Sequence, residues 1–182
     1  MTVTLITGAN KGLGYETARR LIELGHTVYL GARSPERGEA AAAELGGQFV
    51  RLDVTDDVSV ATAMSVIDGR EGRLDVLVNN AGISVGADVN GPDALKVFDT
   101  NAIGVIRVTQ AAVSMLTVQY AKTYPDIKFN AVEPGFTATD LTPGSGAGQP
   151  VEKGAEVIVR MATIGKNRPT GTFQENESEL AW

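Results

Sequence analysis

An apolar, β-branched run from Val3 to Thr7 passes into a helical pattern from Gly14 to Leu24 through one short segment, Thr7-Gly8-Ala9-Asn10-Lys11-Gly12-Leu13-Gly14. Few structures accommodate a strand that becomes a helix across three glycines. Gly8 allows a tight turn, Gly12 lets the main chain approach a ligand as large as a pyrophosphate, and Gly14 lets the helix pack close to the sheet. The N–H groups of the first helical turn have no partners within the helix and attract an anion. Asn10, Lys11 and Leu13 belong to the same turn, so Gly8, Asn10, Lys11, Gly12, Leu13 and Gly14 form one candidate binding segment. A glycine pattern between a strand and a helix is a stronger signal than the pattern alone, and a plain turn is the competing reading.

Beyond this turn, apolar runs continue to alternate with helical patterns. Strands are expected at Thr27 to Leu30, Phe49 to Leu52, Leu74 to Val78, Ile127 to Val132 and Gly171 to Gln174. Helices are expected from Ser34 to Leu45, from about Asp56 to Ile67, from Pro92 through Gln110 to about Lys122, and from Val151 to Ala162. Such alternation implies right-handed crossovers and an α/β, doubly wound parallel sheet with helices on both faces. A length of 182 residues suits one domain. Thr142 to Gln149 reads as a loop from its glycine, serine and proline content.

Composition excludes several classes. A net charge of −6 argues against nucleic acid as a main partner. The absence of cysteine removes disulfides, thiolate catalysis and cysteine-type zinc sites, and no metal site is expected. The opening MTVTLITGAN lacks the pattern of a signal peptide, and no apolar run approaches a membrane span. A cytoplasmic protein without a membrane partner is the expectation.

The expected strand ends carry the rest of the candidate site. Strand two ends Leu30-Gly31-Ala32-Arg33. A site for NAD usually places a carboxylate there to bind the ribose 2′-hydroxyl. A guanidinium suits a 2′-phosphate instead, and Lys11 can add a second positive charge. Two solvated surface cations are the alternative. Strand three ends Arg51-Leu52-Asp53-Val54, strand four Asn79-Asn80-Ala81-Gly82, and a later turn reads Glu133-Pro134-Gly135-Phe136-Thr137-Ala138-Thr139. Together these motifs resemble the short-chain dehydrogenase/reductase family, and the Asn10-Lys11 turn with Arg33 resembles its NADP(H)-dependent carbonyl reductase branch. The resemblance implies a Rossmann-type fold, an NADP(H) cofactor, a small-molecule carbonyl or alcohol substrate, and an assembly that is often a homo-oligomer. It implies that Asp53 and Val54 meet the adenine and that Asn80, Ala81 and Gly82 make room for the cofactor. Pro134, Gly135, Thr137 and Thr139 would hold the nicotinamide end, Thr137 at the carboxamide and Thr139 at the pyrophosphate. An aspartate such as Asp53 can also simply cap the next helix.

The resemblance fails where the chemistry should be. In the family a tyrosine exchanges a proton with the substrate oxygen, a lysine one helical turn later lowers the tyrosine pKa, a serine orients the substrate, and an asparagine supports a water relay. Asn101, in Thr100-Asn101-Ala102-Ile103-Gly104, matches the asparagine and is the only catalytic residue that carries over. The helix through Gln110 should then end and give way to a fifth strand with the serine. Instead Thr109-Gln110 runs directly into Ala111-Ala112-Val113-Ser114-Met115, which resembles the catalytic helix just after its lysine. At least about 30 residues, one βα unit, have no counterpart.

Tyr124-Pro125-Asp126-Ile127-Lys128 has the Tyr-x-x-x-Lys spacing. Pro125, however, disfavours a helical Tyr124, and Lys128 falls in an expected strand. Tyr120 and Lys122 lie two apart and cannot share a helix face. Ser114 reads as a polar residue within a helix, and His26 as a surface residue away from the site. A helix of about 17 residues spans roughly 25 Å, whereas one peptide link covers about 3.8 Å. Gln110 and Ala111 therefore cannot both keep their family positions. The expectation is a break between about Val108 and Met115, most sharply at Gln110/Ala111. The alternative is a truncated or spliced product with the two helices fused and the sheet rearranged around a lost fifth strand.

Overall fold

The computed structural model describes residues 1–84, 90–120, 131–139, 148–165, 173–176 and 178–180, without the side chains of 113–120, 131, 173 and 179–180. Four strands, β1 (Val3–Thr7), β2 (Thr27–Ala32), β3 (Gln48–Arg51) and β4 (Val76–Val78), form a parallel sheet in the order β3-β2-β1-β4. Ile6 stands beside Leu30 on one side and Val78 on the other. Every residue of β1 is buried, Thr4 and Thr7 included, because a parallel sheet is covered on both faces.

Alternation along the strands divides their side chains between two cores. Val3, Leu5, Tyr29 and Val50 pack with Val60, Ala63, Met64 and Ile67 of α3 (Asp57–Glu71) and with Val108 and Ala112 of α5 (Gly104–Tyr120). Ile6, Val28 and Leu30 pack with Ala18 and Leu21 of α1 (Gly12–Glu23) and with Ala41 and Ala42 of α2 (Pro35–Leu45). Leu5, Ile6, Leu21 and Leu30 are wholly buried, and each burial contributes roughly 1.5–3 kcal/mol. The expected two-faced α/β architecture is observed in this four-stranded sheet.

Local chemistry fixes the element ends. Ser34 caps α2 by accepting the Arg37 N–H, with Pro35 in the first turn. Asp56 caps α3 by accepting the Val58 N–H. The helix α1 begins at Gly12, two residues before the expected start, and no side chain caps it. β2 extends to Ala32 and α3 to Glu71, both beyond expectation. β4 is shorter than the expected Leu74 to Val78, because the Asp75 carboxylate takes the Val3 N–H at 2.7 Å in place of a strand carbonyl.

The second half of the chain departs from a single sheet. β5 (Ala131–Val132) pairs in parallel with β6 (Phe173–Gln174), which pairs antiparallel with β7 (Glu179–Leu180). These three form a separate sheet, and among the described residues β4 pairs only with β1. β7 was not expected, and residues 127–130 and 171–172 of the expected strands lie outside the described residues. The helix α6 (Val151–Ala162) has the expected bounds, packs on α1, and touches both β4 and β5.

The expected break at Gln110/Ala111 is not found. α4 (Gly91–Phe98) leads through a π-helical turn (Asp99–Ile103) into α5, which passes unbroken through both residues. Val108 before the junction and Ala112 after it lie in the same core. A single helix therefore stands where the family resemblance implies two helices with a strand between them, and no strand joins the two sheets among the described residues.

Candidate cofactor-binding site

The site forms where β1, β2, β3 and β4 end. Gly8 and Gly12 have φ of 67° and 61°, in the left-handed region that favours glycine. A Cβ on Gly8 would lie 2.9 Å from the Cα of Ala81, so the first turn rests directly on the Asn80-Ala81-Gly82 segment. Gly14 meets Asn80 even more closely: a Cβ on Gly14 would lie 2.5 Å from the Asn80 Nδ2. The Asn80 amide donates to the Thr7 carbonyl at 2.9 Å and the Gly8 carbonyl at 3.2 Å. The Thr7 hydroxyl accepts the N–H groups of Asn80 and Ala81, each at 2.9 Å. Thr7 is thus the hub that ties the two strand ends together. Its signal in the sequence was a polar, β-branched residue closing an apolar strand.

At Gly12 the surroundings are open: the nearest atom to a Cβ placed there would be the Thr139 Cγ2, 3.8 Å away. The glycine turn and the distant Pro134–Thr139 turn therefore face each other across α1's N-terminus. That N-terminus has no capping side chain and no acidic residue in its first turn, so its N–H groups and dipole favour an anion. Lys11 is exposed at the same end, and Asn10 is half-buried behind it. Gly154 of α6 lets that helix touch Leu13 and Thr137 at once: a Cβ there would lie 2.9 Å from the Leu13 Cδ2 and 2.6 Å from the Thr137 Oγ1. The sequence reading missed Gly154, since a glycine inside a helix shows no partner until the packing is known.

The turn after β5 is held from within. Gly135 has φ of 76°, and its N–H donates to Glu133 Oε1 at 3.1 Å. The Gln149 amide donates to the Pro134 carbonyl, and the Gln149 N–H donates to the Phe136 carbonyl at 2.9 Å. Thr137 is buried, and its hydroxyl donates to the Gly135 carbonyl at 3.0 Å.

On the other side, Asp53 and Arg33 stand together at the ends of β3 and β2. Asp53 Oδ1 accepts the Thr55 hydroxyl at 2.7 Å and the Thr55 N–H at 3.0 Å, while the Asp53 N–H donates to Ser59. Burial pushes the Asp53 carboxyl up, but the Thr55 hydrogen bonds and the charges of Arg33 and Arg51 outweigh it, so its pKa lies below the ordinary value. The helix cap is Asp56, so Asp53 is not the capping residue that a plain structural reading would make it. Arg33 is exposed. Val54 is buried, and its carbonyl accepts from Arg107 at 3.4 Å.

Asn101 lies in the π-helical turn. Its amide makes a two-bond pair with the main chain of Ile83, accepting the N–H and donating to the carbonyl, both at 2.9 Å. A Cβ on Gly82 would lie 3.6 Å from the Asn101 Oδ1. Asn101 therefore sits against the end of β4, and π-helical turns of this kind are frequent at functional sites.

No tyrosine with a described side chain stands near Asn101. Tyr15 lies near Glu44, and Tyr29 donates to Glu71 at 2.9 Å. Tyr124, Lys122 and Lys128 lie outside the described residues, as do the side chains of Ser114 and Tyr120. His26 is half-buried rather than a free surface residue, with its Nδ1 2.9 Å from the Thr4 hydroxyl. No group of three or more histidine or acidic side chains could hold a metal, and no helix is long and apolar enough to cross a membrane, both among the described residues.

Comparison with known proteins agrees with this geometry. The chain is 28% identical over 241 positions to the short-chain dehydrogenase/reductase ATR10 of Stachybotrys chlorohalonatus, covering 95% of this chain and 87% of that protein. That span exceeds the 182 residues of this chain, so the relative carries residues within the aligned region that have no counterpart here. Serine 3-dehydrogenase of Agrobacterium fabrum is 38% identical over 121 residues, covering 63% of this chain and 49% of that enzyme. Against seven of the curated relatives that it matches, the chain spans about half their length or less. The fold matches an alcohol dehydrogenase from Thermococcus sibiricus complexed with 5-hydroxy-NADP, with a TM-score of 0.80 and 22% identity over 96% of this chain and 95% of that one. The model of the short chain dehydrogenase family matches residues 2–122, two-thirds of the chain. With the glycine turn, the Asn80-Ala81-Gly82 strand end and Asn101 gathered at one end of a parallel sheet, the chain belongs to the short-chain dehydrogenase/reductase family of oxidoreductases.

Proposed function

We propose that the chain is the cofactor-holding part of an NADP(H)-dependent oxidoreductase that acts on a small carbonyl or alcohol substrate in the cytoplasm. The observation that carries the reading is Arg33, rather than a carboxylate, at the end of β2 beside Asp53. A dinucleotide fits the residues present. Gly8 and Gly12 hold the main chain back, the uncapped N-terminus of α1 offers N–H groups to a pyrophosphate, and Thr139 faces that turn. Arg33 and Lys11 would hold the 2′-phosphate, Asp53 and Val54 the adenine, and the Pro134–Thr139 turn the nicotinamide end. The Thr137 hydroxyl is engaged with Gly135, so Thr137 would meet a carboxamide through the main chain of the turn. When bound, the cofactor supplies or accepts a hydride.

The same reading holds that this 182-residue chain binds cofactor without turning over. Proton transfer to or from the substrate oxygen needs a positioned acid or base, and the βα unit that would carry the serine, tyrosine and lysine has no counterpart here. The fused helix α5, the edge of β4 that no described strand covers, and the unmatched residues of the ATR10 alignment support this reading. Titrating the chain with NADPH and with NADH, followed by the change in nicotinamide fluorescence, tests the proposal. Tighter binding of NADPH is expected, and equal affinity for the two would overturn the assignment.

A further inference from the structure

Arg107 is one residue on which three parts of the site converge. It lies on α5, away from the glycine turn, and its side chain is 22% exposed. Its Nη1 donates to Asp99 Oδ1 at 2.8 Å, at the start of the π-helical turn that carries Asn101. Its Nε lies 3.0 Å from Asp57 Oδ1, in the first turn of α3. The same Nη1 reaches the Val54 carbonyl at 3.4 Å, next to Asp53. Gly104, one helical turn earlier, presses on the same residue: a Cβ there would lie 2.9 Å from the Val54 Cγ2.

On the reading above, Asp53 and Val54 serve the adenine end and Asn101 the reacting end. We infer that Arg107 is a positioning residue that couples the two ends, so that filling the adenine end fixes the π-helical turn and, through Asn101, the main chain at Ile83. This inference rests on the cofactor proposal. The fork geometry of a guanidinium suits it, because one planar group donates in two directions and a lysine ammonium cannot hold both carboxylates with the same geometry. Both carboxylates are accessible to water, with Asp99 41% and Asp57 83% exposed. Removing Arg107 therefore leaves no buried charge unpaired.

The test uses adenosine 2′,5′-bisphosphate, which carries the adenine and the 2′-phosphate but no nicotinamide. Its affinity is measured by calorimetry, and amide exchange at Ile83 is followed by NMR, because that N–H bonds Asn101 directly. In the unmutated chain the ligand should slow exchange at Ile83 on the order of tenfold, the size of an ordinary coupling between sites. Arg107→Leu should bind the same ligand yet lose the slowing, and Arg107→Lys should regain part of it. Asp99→Asn, a near-isosteric change at a half-exposed position, should weaken the slowing even if Arg107→Leu does not fold. Binding without slowing in the unmutated chain overturns the coupling and leaves the cofactor reading intact, as does full slowing in Arg107→Leu or, if that variant does not fold, in Asp99→Asn. Absence of binding to the unmutated chain overturns both.

Discussion

Arg33 and the glycines show how single residues divide the work. Arg33 is exposed, so its replacement should leave the fold alone. Arg33→Asp should invert the cofactor preference by placing a carboxylate where a 2′-phosphate would be repelled and a 2′-hydroxyl accepted. The ratio of NADPH to NADH dissociation constants should change by at least about tenfold, one charge-assisted contact being worth roughly 1.5–3 kcal/mol. Gly8 and Gly12 share a backbone conformation but not a neighbourhood. A side chain at either costs about 1–2 kcal/mol for the left-handed φ. At Gly8 it also meets the main chain of Ala81 at 2.9 Å, whereas at Gly12 the nearest atom is 3.8 Å away. Gly8→Ala should therefore lower the melting temperature more than Gly12→Val, and Gly12→Val should lose NADPH binding while still folding. A folded Gly12→Val variant with normal affinity for NADPH would show that the pyrophosphate does not lie there.

At the scale of the element, α1 has two chemically distinct ends. Its N-terminus has no capping side chain, so the helix gains stability elsewhere. Glu16, three and four residues before Arg19 and Arg20, accepts from both guanidinium groups at 2.7–2.8 Å, the spacing that brings side chains together on a helix face. The Arg19 hydrogen bonds pull the Glu16 carboxyl down, burial pushes it up, and Arg20 adds to the first effect; the net result is a fall from 4.5 to about 2. The folded pKa lies below the unfolded one, so the stabilisation is complete above the unfolded value and fades as pH falls from about 4.5 toward about 2. With Arg19 39% exposed, screening reduces the effect. Glu16→Gln should cost about 1–2 kcal/mol at pH 7, and the difference from the unmutated chain should shrink toward pH 3 in urea titrations. A difference that stays constant with pH would mean that the carboxylate is not held below its ordinary range.

For the molecule as a whole, the decisive feature is the joining of α5 across Gln110 and Ala111. The four-stranded sheet has both of its cores on the α1, α2 and α3 side, and the ends of β1 to β4 that form the candidate site are present. On the proposed reading, the βα unit without a counterpart between β4 and β5 is the place from which a proton would come. A positioned acid typically contributes about 10²–10⁴-fold, and Asn101, whose amide is paired with Ile83, does not supply one. The 182-residue chain should therefore bind NADPH and show no reduction of carbonyl substrates above background. Tyr124→Phe should change nothing. Turnover by a chain of verified mass, abolished by that substitution, would return Tyr124 and Lys128 to the active site. A longer form of the protein with a βα unit between Gln110 and Ala111 should turn over.

Local chemistry made the elements legible in advance. Ser34 and Asp56 mark helix starts through hydrogen bonds that depend only on near neighbours, and apolar runs mark buried strands because a parallel sheet is covered on both faces. The absence of a strand after Gln110 was also legible, as an uninterrupted helical pattern. The sequence could not say how the chain would close over that absence. Whether the join became a break or one helix depended on Val108 and Ala112 finding the same core as α3. Whether β5 rejoined β4 depended on hydrogen-bond partners far away in the chain, and β5 paired with β6 instead. Thr7 and Gly154 make their contacts with residues brought to them across long stretches of chain, and no local pattern names those partners.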